Sequence, residues 1–186
     1  MKHGLTLFAA LAAIVPSVAP AQHSAYSGQE NRQIKALSDE EIGQYRSGAG
    51  MGYARAAELN AFPGPMHVLE FAEALGLSPE QRSATRRLMD THKSEARAIG
   101  AKLVEAERTL DRLFASGKVD DTALADRVKA VAVLQGEYRL SHLETHRRMR
   151  AILTAEQVQR YDQLRGYTGG HQGSSEMPAH GKQHIN

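Results

Sequence analysis

Cysteine is absent from the 186 residues of the chain. Thiolate catalysis and cysteine-based metal sites are therefore excluded, and without disulfides stability must come from packed helices, a metal or a partner subunit. Tryptophan is absent too and aromatic residues make up only 5% of the chain, which argues against a large aromatic ligand cage. The net charge of +2, from 23 basic and 21 acidic residues, gives no reason to expect nucleic acid or an acidic membrane as the main partner.

Recognisable catalytic motifs are also missing. The sequence contains no Gly-rich phosphate loop, no nucleophile elbow and no His-Glu-x-x-His zinc motif. Paired carboxylates in a cleft cannot be identified either. We therefore expect a protein that acts by binding and is not an enzyme.

The first 21 residues have the pattern of a secretory signal peptide. Lys2 and His3 give a basic start, residues 5–15 are apolar, and Ala19-Pro20-Ala21 is a small-x-small cleavage site. The apolar run is shorter than the roughly 20 residues that span a bilayer. We expect cleavage after Ala21 and delivery to a Gram-negative periplasm, with no transmembrane segment left; a retained, uncleaved anchor is the alternative.

Helix signals predict an all-α fold. Leu77-Ser78-Pro79-Glu80-Gln81 and Leu153-Thr154-Ala155-Glu156-Gln157 each place a hydroxyl cap three residues before a glutamine. Between them, one long helix runs to Gly117, interrupted only by Gly100, which costs roughly 1 kcal/mol without ending it. A second runs from Asp121 to about Ile152. Because the link is short, the two helices form an antiparallel hairpin, each about 50 Å long.

We divide the mature chain into three parts. Residues 22–62 form a polar N-terminal extension with short helices, residues 63–167 the helical hairpin domain, and residues 168–186 a His-, Gly- and Ser-rich tail expected to be disordered. Short flanking helices can cover only part of the hairpin's apolar stripe. We therefore expect a homodimer, shaped as a cradle, to cover the rest.

The histidines of the hairpin are candidate metal ligands. On the second long helix His142, His146 and Met149 lie within about 60° of one another and continue its apolar stripe, so they point inward. His92 lies on the stripe of the first long helix, level with about residue 144 if the chain turns near residue 118. Imidazoles so placed suit a divalent transition metal such as Zn, Ni, Co or Cu, and Met149 adds a soft sulfur ligand.

A further candidate ligand lies on the short helix after Pro65. His67 closes the site if that helix packs over the open end of the hairpin, and Glu70 is a weaker carboxylate candidate. The alternative is that the inward histidines are core residues, each donating one hydrogen bond. The tail residues His171, His180 and His184 are candidates for loose metal binding or simply part of a solvated end.

The paired pentapeptides around a hairpin resemble the Spy/CpxP superfamily of periplasmic chaperones and stress proteins, whose hallmark is a Leu-Thr-x-x-Gln repeat. The stretches 63–70 and 161–167 are similar to those of its zinc-resistance-associated and heavy-metal-sensor branch. The resemblance covers residues 63–167. It implies a cradle-shaped dimer that either holds unfolded client proteins or senses metal for a membrane-bound signalling partner.

The chain departs from the nickel/cobalt sensors of that branch. Those proteins carry two histidines four residues apart on the first short helix, whereas here Phe71 follows His67 at that spacing. On the last long helix Met149 matches, but Thr145 stands where the sensors have histidine. Two hypotheses follow: a transition-metal-binding stress or sensor protein, or a metal-independent holdase chaperone. A structural protein that only inhibits a membrane sensor kinase is a third.

Overall fold

The structure is a computed structural model that describes residues 25–167. The predicted signal peptide and the tail after residue 167 lie outside these residues. The described part is all-helical, as predicted, and contains no strand. No helix in this part is both long enough and apolar enough to cross a membrane. Its α-helices are α1 (Asp39–Ser47), α2 (Arg55–Glu58), α3 (Pro65–Glu70), α4 (Pro79–Ala115), α5 (Asp121–Ile152) and α6 (Ala155–Leu164).

The helical hairpin forms where its caps predict it. Ser78 accepts a hydrogen bond from the Gln81 amide at the start of α4, and Pro79 occupies the first helical position. Gly117, with φ 65°, follows the C-terminal end of α4, and Asp120 caps α5 by accepting from the Ala123 amide at 2.8 Å. The long antiparallel hairpin is thus a direct product of local sequence.

The glutamines of the two pentapeptides clasp the open end of this hairpin. Gln81 Nε2 donates to the carbonyl of Ile152 at 2.9 Å, and Gln157 Nε2 donates to the carbonyl of Leu75 at 3.2 Å. The two side-chain amides also contact each other, with Gln81 Nε2 lying 2.8 Å from Gln157 Oε1. Each glutamine therefore closes its own helix start and joins it to the other.

The N-terminal extension packs against the hairpin, a point that the sequence left open. Ile34, in the extension predicted to be polar, is fully buried, and α1 buries Ile42 and Tyr45 against α4. Gly100 lets the Tyr45 carbonyl approach α4 closely, because a Cβ at this position would lie 2.0 Å from that oxygen. The phenol of Tyr138 on α5 donates to the Ala49 carbonyl at 2.7 Å, which fixes the end of α1 in place.

Two apolar clusters fill the structure, and the inward histidines lie between them. On α4 the order is Leu88, His92, Ala96, where the leucine belongs to the cluster at the open end and the alanine to the other cluster. On α5 Tyr138 and Met149 belong to the two clusters and His142 lies between. A polar layer therefore separates two separately packed cores.

The buried face of α5 differs by one position from the predicted stripe. Thr145 is 5% exposed and takes the fully inward position, whereas His146 lies at the flank of the helix. Val128, near the start of the same helix, is 48% exposed. The spacing of the buried residues follows contact with α4 rather than an ideal single-helix stripe, because two packed helices share a seam nearer 3.5 residues per turn.

Candidate metal centre

A cavity of about 580 Å³ opens between the hairpin and the N-terminal segments. The loop after α1 and helices α2 and α3 form one wall, and α4 and α5 form the other. His67, His92, His142 and His146, the four histidines predicted as ligands, all line it. The fold thus gathers residues that are up to 79 positions apart in sequence, as His67 and His146 are.

His92 and His142 form the buried centre of this cavity wall. Their ring centroids are 4.5 Å apart at an interplanar angle of 73°, and the residues are only 8% and 4% exposed. His92 Nδ1 lies 3.2 Å from the hydroxyl of Ser141. His142 Nε2 is fully buried and has no hydrogen-bond partner among the described residues. Buried polar atoms are normally paired, so this nitrogen is available for a ligand.

Burial keeps both rings in the neutral form. Desolvation first, and then the neighbouring His92 and His146, lower the pKa of His142 to about 4. The pKa of His92 is also lowered, first by burial and then by the charge of His146. At neutral pH both imidazoles therefore keep a lone pair, which is the form that coordinates a metal.

His146 is held by the segment before α3. Its Nδ1 lies 2.8 Å from the carbonyl oxygen of Phe62, so Nδ1–H is the donor to that oxygen. A Cβ on Gly64 would lie 3.0 Å from the Nε2 of His146. Because Gly64 has no side chain, the edge of the His146 ring can pack against its backbone.

Glu58 on α2 connects His146 to the C-terminal end of the domain. Its carboxylate lies 3.5 Å from His146 Nδ1, accepts a hydrogen bond from Tyr161 at 2.5 Å, and pairs with Arg165 at 3.4 Å. Burial and this hydrogen bond raise the pKa of Tyr161 well above its ordinary value, so the phenol remains a donor. Glu58 was not identified from the sequence, because the short helix that carries it has no side-chain cap to mark it.

Two other predicted ligands have different surroundings. Met149 is fully buried in the apolar cluster at the open end of the hairpin, packed among such residues as Val68 and Leu88. His67 Nδ1 lies 2.8 Å from the carboxylate of Glu70. The structure therefore places Met149 in a core and pairs the weaker carboxylate candidate with His67.

The donor chemistry suits a metal, but imidazoles and carboxylates alone do not close the site. Within residues 25–167, no three His, Asp or Glu side chains stand together at ligand spacing. Thr145 is buried and donates its hydroxyl to the Ser141 carbonyl at 2.8 Å. The candidate nitrogen ligands for a metal are therefore the buried pair of His92 and His142, in which His142 Nε2 has no hydrogen-bond partner among the described residues.

Methionines that the sequence interpretation did not use complete the lining of the cavity. Met51 follows α1, Met66 lies on α3 and is 48% exposed, and Met89 lies on α4 one turn before His92. The spacing of Met89 and His92 was a usable signal, because residues three apart share a helix face. Met51 and Met66 lie on loops and short helices, where no periodicity fixes direction.

One family model, described as heavy-metal resistance, matches residues 44–160. The match covers most of the described structure, including the four cavity histidines, Glu58 and the three cavity methionines. No curated protein and no solved structure gives a match.

Proposed function

The chain belongs to the heavy-metal resistance family, and from that premise we propose that it is a periplasmic stress or sensor protein that binds a transition metal and performs no catalysis. The observation that carries the proposal is the buried pair of His92 and His142. Their rings are 4.5 Å apart, and His142 Nε2 has no hydrogen-bond partner among the described residues. A buried imidazole nitrogen without a hydrogen-bond partner is costly unless a ligand uses it.

In this proposal His92 and His142 hold the metal, and His146 lines the same cavity without standing at ligand spacing within residues 25–167. A bound metal supplies cross-linking between α4 and α5. Since the loop after α1 and α3 form the opposite cavity wall, closure around the metal also tightens the N-terminal extension on the hairpin. Binding to the folded state alone stabilises it by about 2.7 kcal/mol when the free metal is 100 times its dissociation constant.

Membership of the Leu-Thr-x-x-Gln branch, export and dimerisation are parts of the same proposal. Both pentapeptides form capping boxes and their glutamines bond to each other, which gives the repeat a structural purpose here. We propose cleavage after Ala21, residence in the periplasm and a cradle-like homodimer. In the sensor form of the proposal, a membrane-bound signalling partner reads the metal-loaded state.

A metal-independent holdase is the second candidate function. Large apolar side chains are exposed along the hairpin: Phe114 near its tip is 58% exposed, and Val133 and Leu140 on α5 are 59% and 61% exposed. Residues seven apart lie on one helix face, so Val133 and Leu140 form part of one apolar strip. Such a strip suits either a second copy of the chain or an unfolded client.

Calorimetric titration with Zn(II), Ni(II), Co(II) and copper tests the proposal. All proteins carry Ala at His171, His180 and His184, which removes loose binding by the tail. We expect saturable binding near one metal per chain, and its loss in the His92→Ala/His142→Ala variant with helical circular dichroism retained. Binding that survives in that variant, or none tighter than about 100 μM for any metal, contradicts the proposal.

An aggregation assay with a denatured client protein separates the two functions. A holdase suppresses aggregation of the client equally with and without a chelator. A further variant, Val133→Ser/Leu140→Ser, weakens this suppression if the apolar strip binds the client. If the protein acts only through its metal, client aggregation is the same with the Val133→Ser/Leu140→Ser variant as with the unchanged protein.

A further inference from the structure

Methionine sulfur is concentrated at the cavity. The described part of the chain contains four methionines, and three of them, Met51, Met66 and Met89, line the cavity with the histidines. The fourth, Met149, packs in the apolar cluster at the open end of the hairpin. Sulfur is thus available where the buried histidine pair has no third imidazole or carboxylate at ligand spacing within residues 25–167.

Local structure directs these methionines to the same space as the histidines. Met89 and His92 are three apart on α4 and so share one face of that helix. Met66 is the second residue of α3 and stays 48% exposed next to the cavity. Met51 lines the cavity and also packs against the apolar cluster that contains Ala96. It has φ 45°, a left-handed conformation that residues with a Cβ disfavour, between Gly50 and Gly52. Such conformations persist where the surrounding structure demands a particular placement.

Ligand preference distinguishes the metals. Thioethers are soft ligands that select Cu(I), whereas Zn(II), Ni(II) and Co(II) favour imidazole, thiolate and carboxylate. The chain has no thiolate. Within residues 25–167, Glu70 contacts the cavity histidine His67, and Glu58 contacts His146. Glu58 already accepts from Tyr161 and pairs with Arg165, and neither carboxylate is at ligand spacing with the buried pair. Two imidazoles with thioethers match the needs of a soft ion better than those of a borderline divalent one.

The charge of the ligands also favours a monovalent ion. The rings of His92 and His142 are neutral ligands in a buried position, and methionine sulfur is neutral too. The desolvation cost of an ion grows steeply with its charge, so a site of neutral ligands tolerates a monovalent ion more readily than a divalent one.

We propose that the cavity takes a soft monovalent cation, with Cu(I) as the natural ion and Ag(I) as its stable mimic. His92 and His142 supply nitrogen, and Met51, Met66 and Met89 supply sulfur. The inference rests on the proposed function and specifies the class of metal that the site accepts.

Competition titration with a Cu(I) chelator under anaerobic conditions tests this, with Zn(II) titrated in parallel. The protein is the full chain with the three tail histidines changed to Ala. The test variant is Met51→Leu/Met66→Leu/Met89→Leu, and the matched control is Met149→Leu, a swap that keeps the volume. We expect the triple variant to lose about 100-fold in Cu(I) affinity, and Zn(II) affinity and the control to change less than roughly threefold.

Methyl NMR of protein labelled at the methionine ε-carbons reports the ligands directly. Ag(I) should shift the resonances of Met51, Met66 and Met89 and leave that of Met149 unchanged. Binding of Zn(II) that depends on His92 and His142, without Cu(I) binding or methionine shifts, overturns this inference and leaves the proposed function standing. Absence of binding for every ion overturns both.

Discussion

Replacing Gly100 by alanine should destabilise the protein, although alanine is the better helix former. Gly100 lies within α4, where the change alone would add about 0.5–1 kcal/mol of stability. The new Cβ, however, would lie 2.0 Å from the carbonyl oxygen of Tyr45 and 2.7 Å from its carbonyl carbon. Both are backbone atoms and cannot rotate away, so α1 must retreat from α4 by roughly 1 Å or more.

The size of the loss follows from what α1 buries. Ile42 and Tyr45 are 5% and 7% exposed, and full burial of each such side chain is worth about 1.5–3 kcal/mol. Losing about half of this packing and the Tyr138 hydrogen bond to Ala49, itself worth about 1 kcal/mol, outweighs the helix gain. We expect a net destabilisation of about 2 kcal/mol.

Gly136 provides the matched control, because it lies inside α5 and a Cβ added there would meet no packed neighbour within 4 Å beyond the adjacent residues and backbone of its own helix. Gly136→Ala should stabilise the protein by roughly 0.5–1 kcal/mol. Urea unfolding followed by circular dichroism at 222 nm measures both. If Gly100→Ala is as stabilising as Gly136→Ala, α1 does not pack on α4 as described, and the cavity wall that begins at Ser47 is misplaced.

Three further predictions concern the polar contacts. Burial lowers the pKa of His142 from 6.5 to about 4, so the unfolded state binds this proton more tightly than the folded state. The contribution of His142 to the free energy of unfolding is therefore constant above pH 6.5 and falls by roughly 3 kcal/mol between pH 6.5 and 4. Urea midpoints across that range should show this slope, and His142→Leu should flatten it; an unchanged slope would contradict the buried neutral ring. Gln81→Leu removes the donor to the Ile152 carbonyl and should lower the free energy of unfolding by about 1–2 kcal/mol, measured by thermal or urea unfolding. An unchanged free energy would mean that the contacts between the two glutamine-bearing helix starts do not stabilise the fold. Tyr161→Phe should lower the free energy of unfolding by about 1.5–3 kcal/mol, since the Tyr161 hydroxyl donates to the Glu58 carboxylate. An unchanged free energy would mean that Glu58 does not stabilise the contact between α2 and α6.

Local signals accounted for the helices and for part of the site. The caps at Ser78 and Thr154 form as the sequence predicts, because capping involves residues only three apart. Periodicity likewise placed His142 on the buried face of α5. It assigned His146 to the same face, whereas contact with α4 buries Thr145 and leaves His146 at the flank.

The parts that sequence did not reveal depend on distant contacts. Glu58 meets Tyr161 across 103 residues, from a four-residue helix without a cap. Met51 owes its position to a glycine-rich turn rather than to a repeating pattern. Met149 matched the spacing expected of an inward ligand, but periodicity alone cannot separate an inward residue in an apolar cluster from one that faces a cavity.

Long-range ¹H–¹⁵N spectra of protein labelled at histidine, recorded while metal is added, test the central claim most directly. The account predicts that His142 Nε2 and the ring nitrogens of His92 change first and saturate near one metal per chain, with the tail histidines affected only at higher concentration. If His171, His180 and His184 respond first, and His92 and His142 keep the spectra of neutral, unligated rings at saturation, the buried pair is not the metal centre.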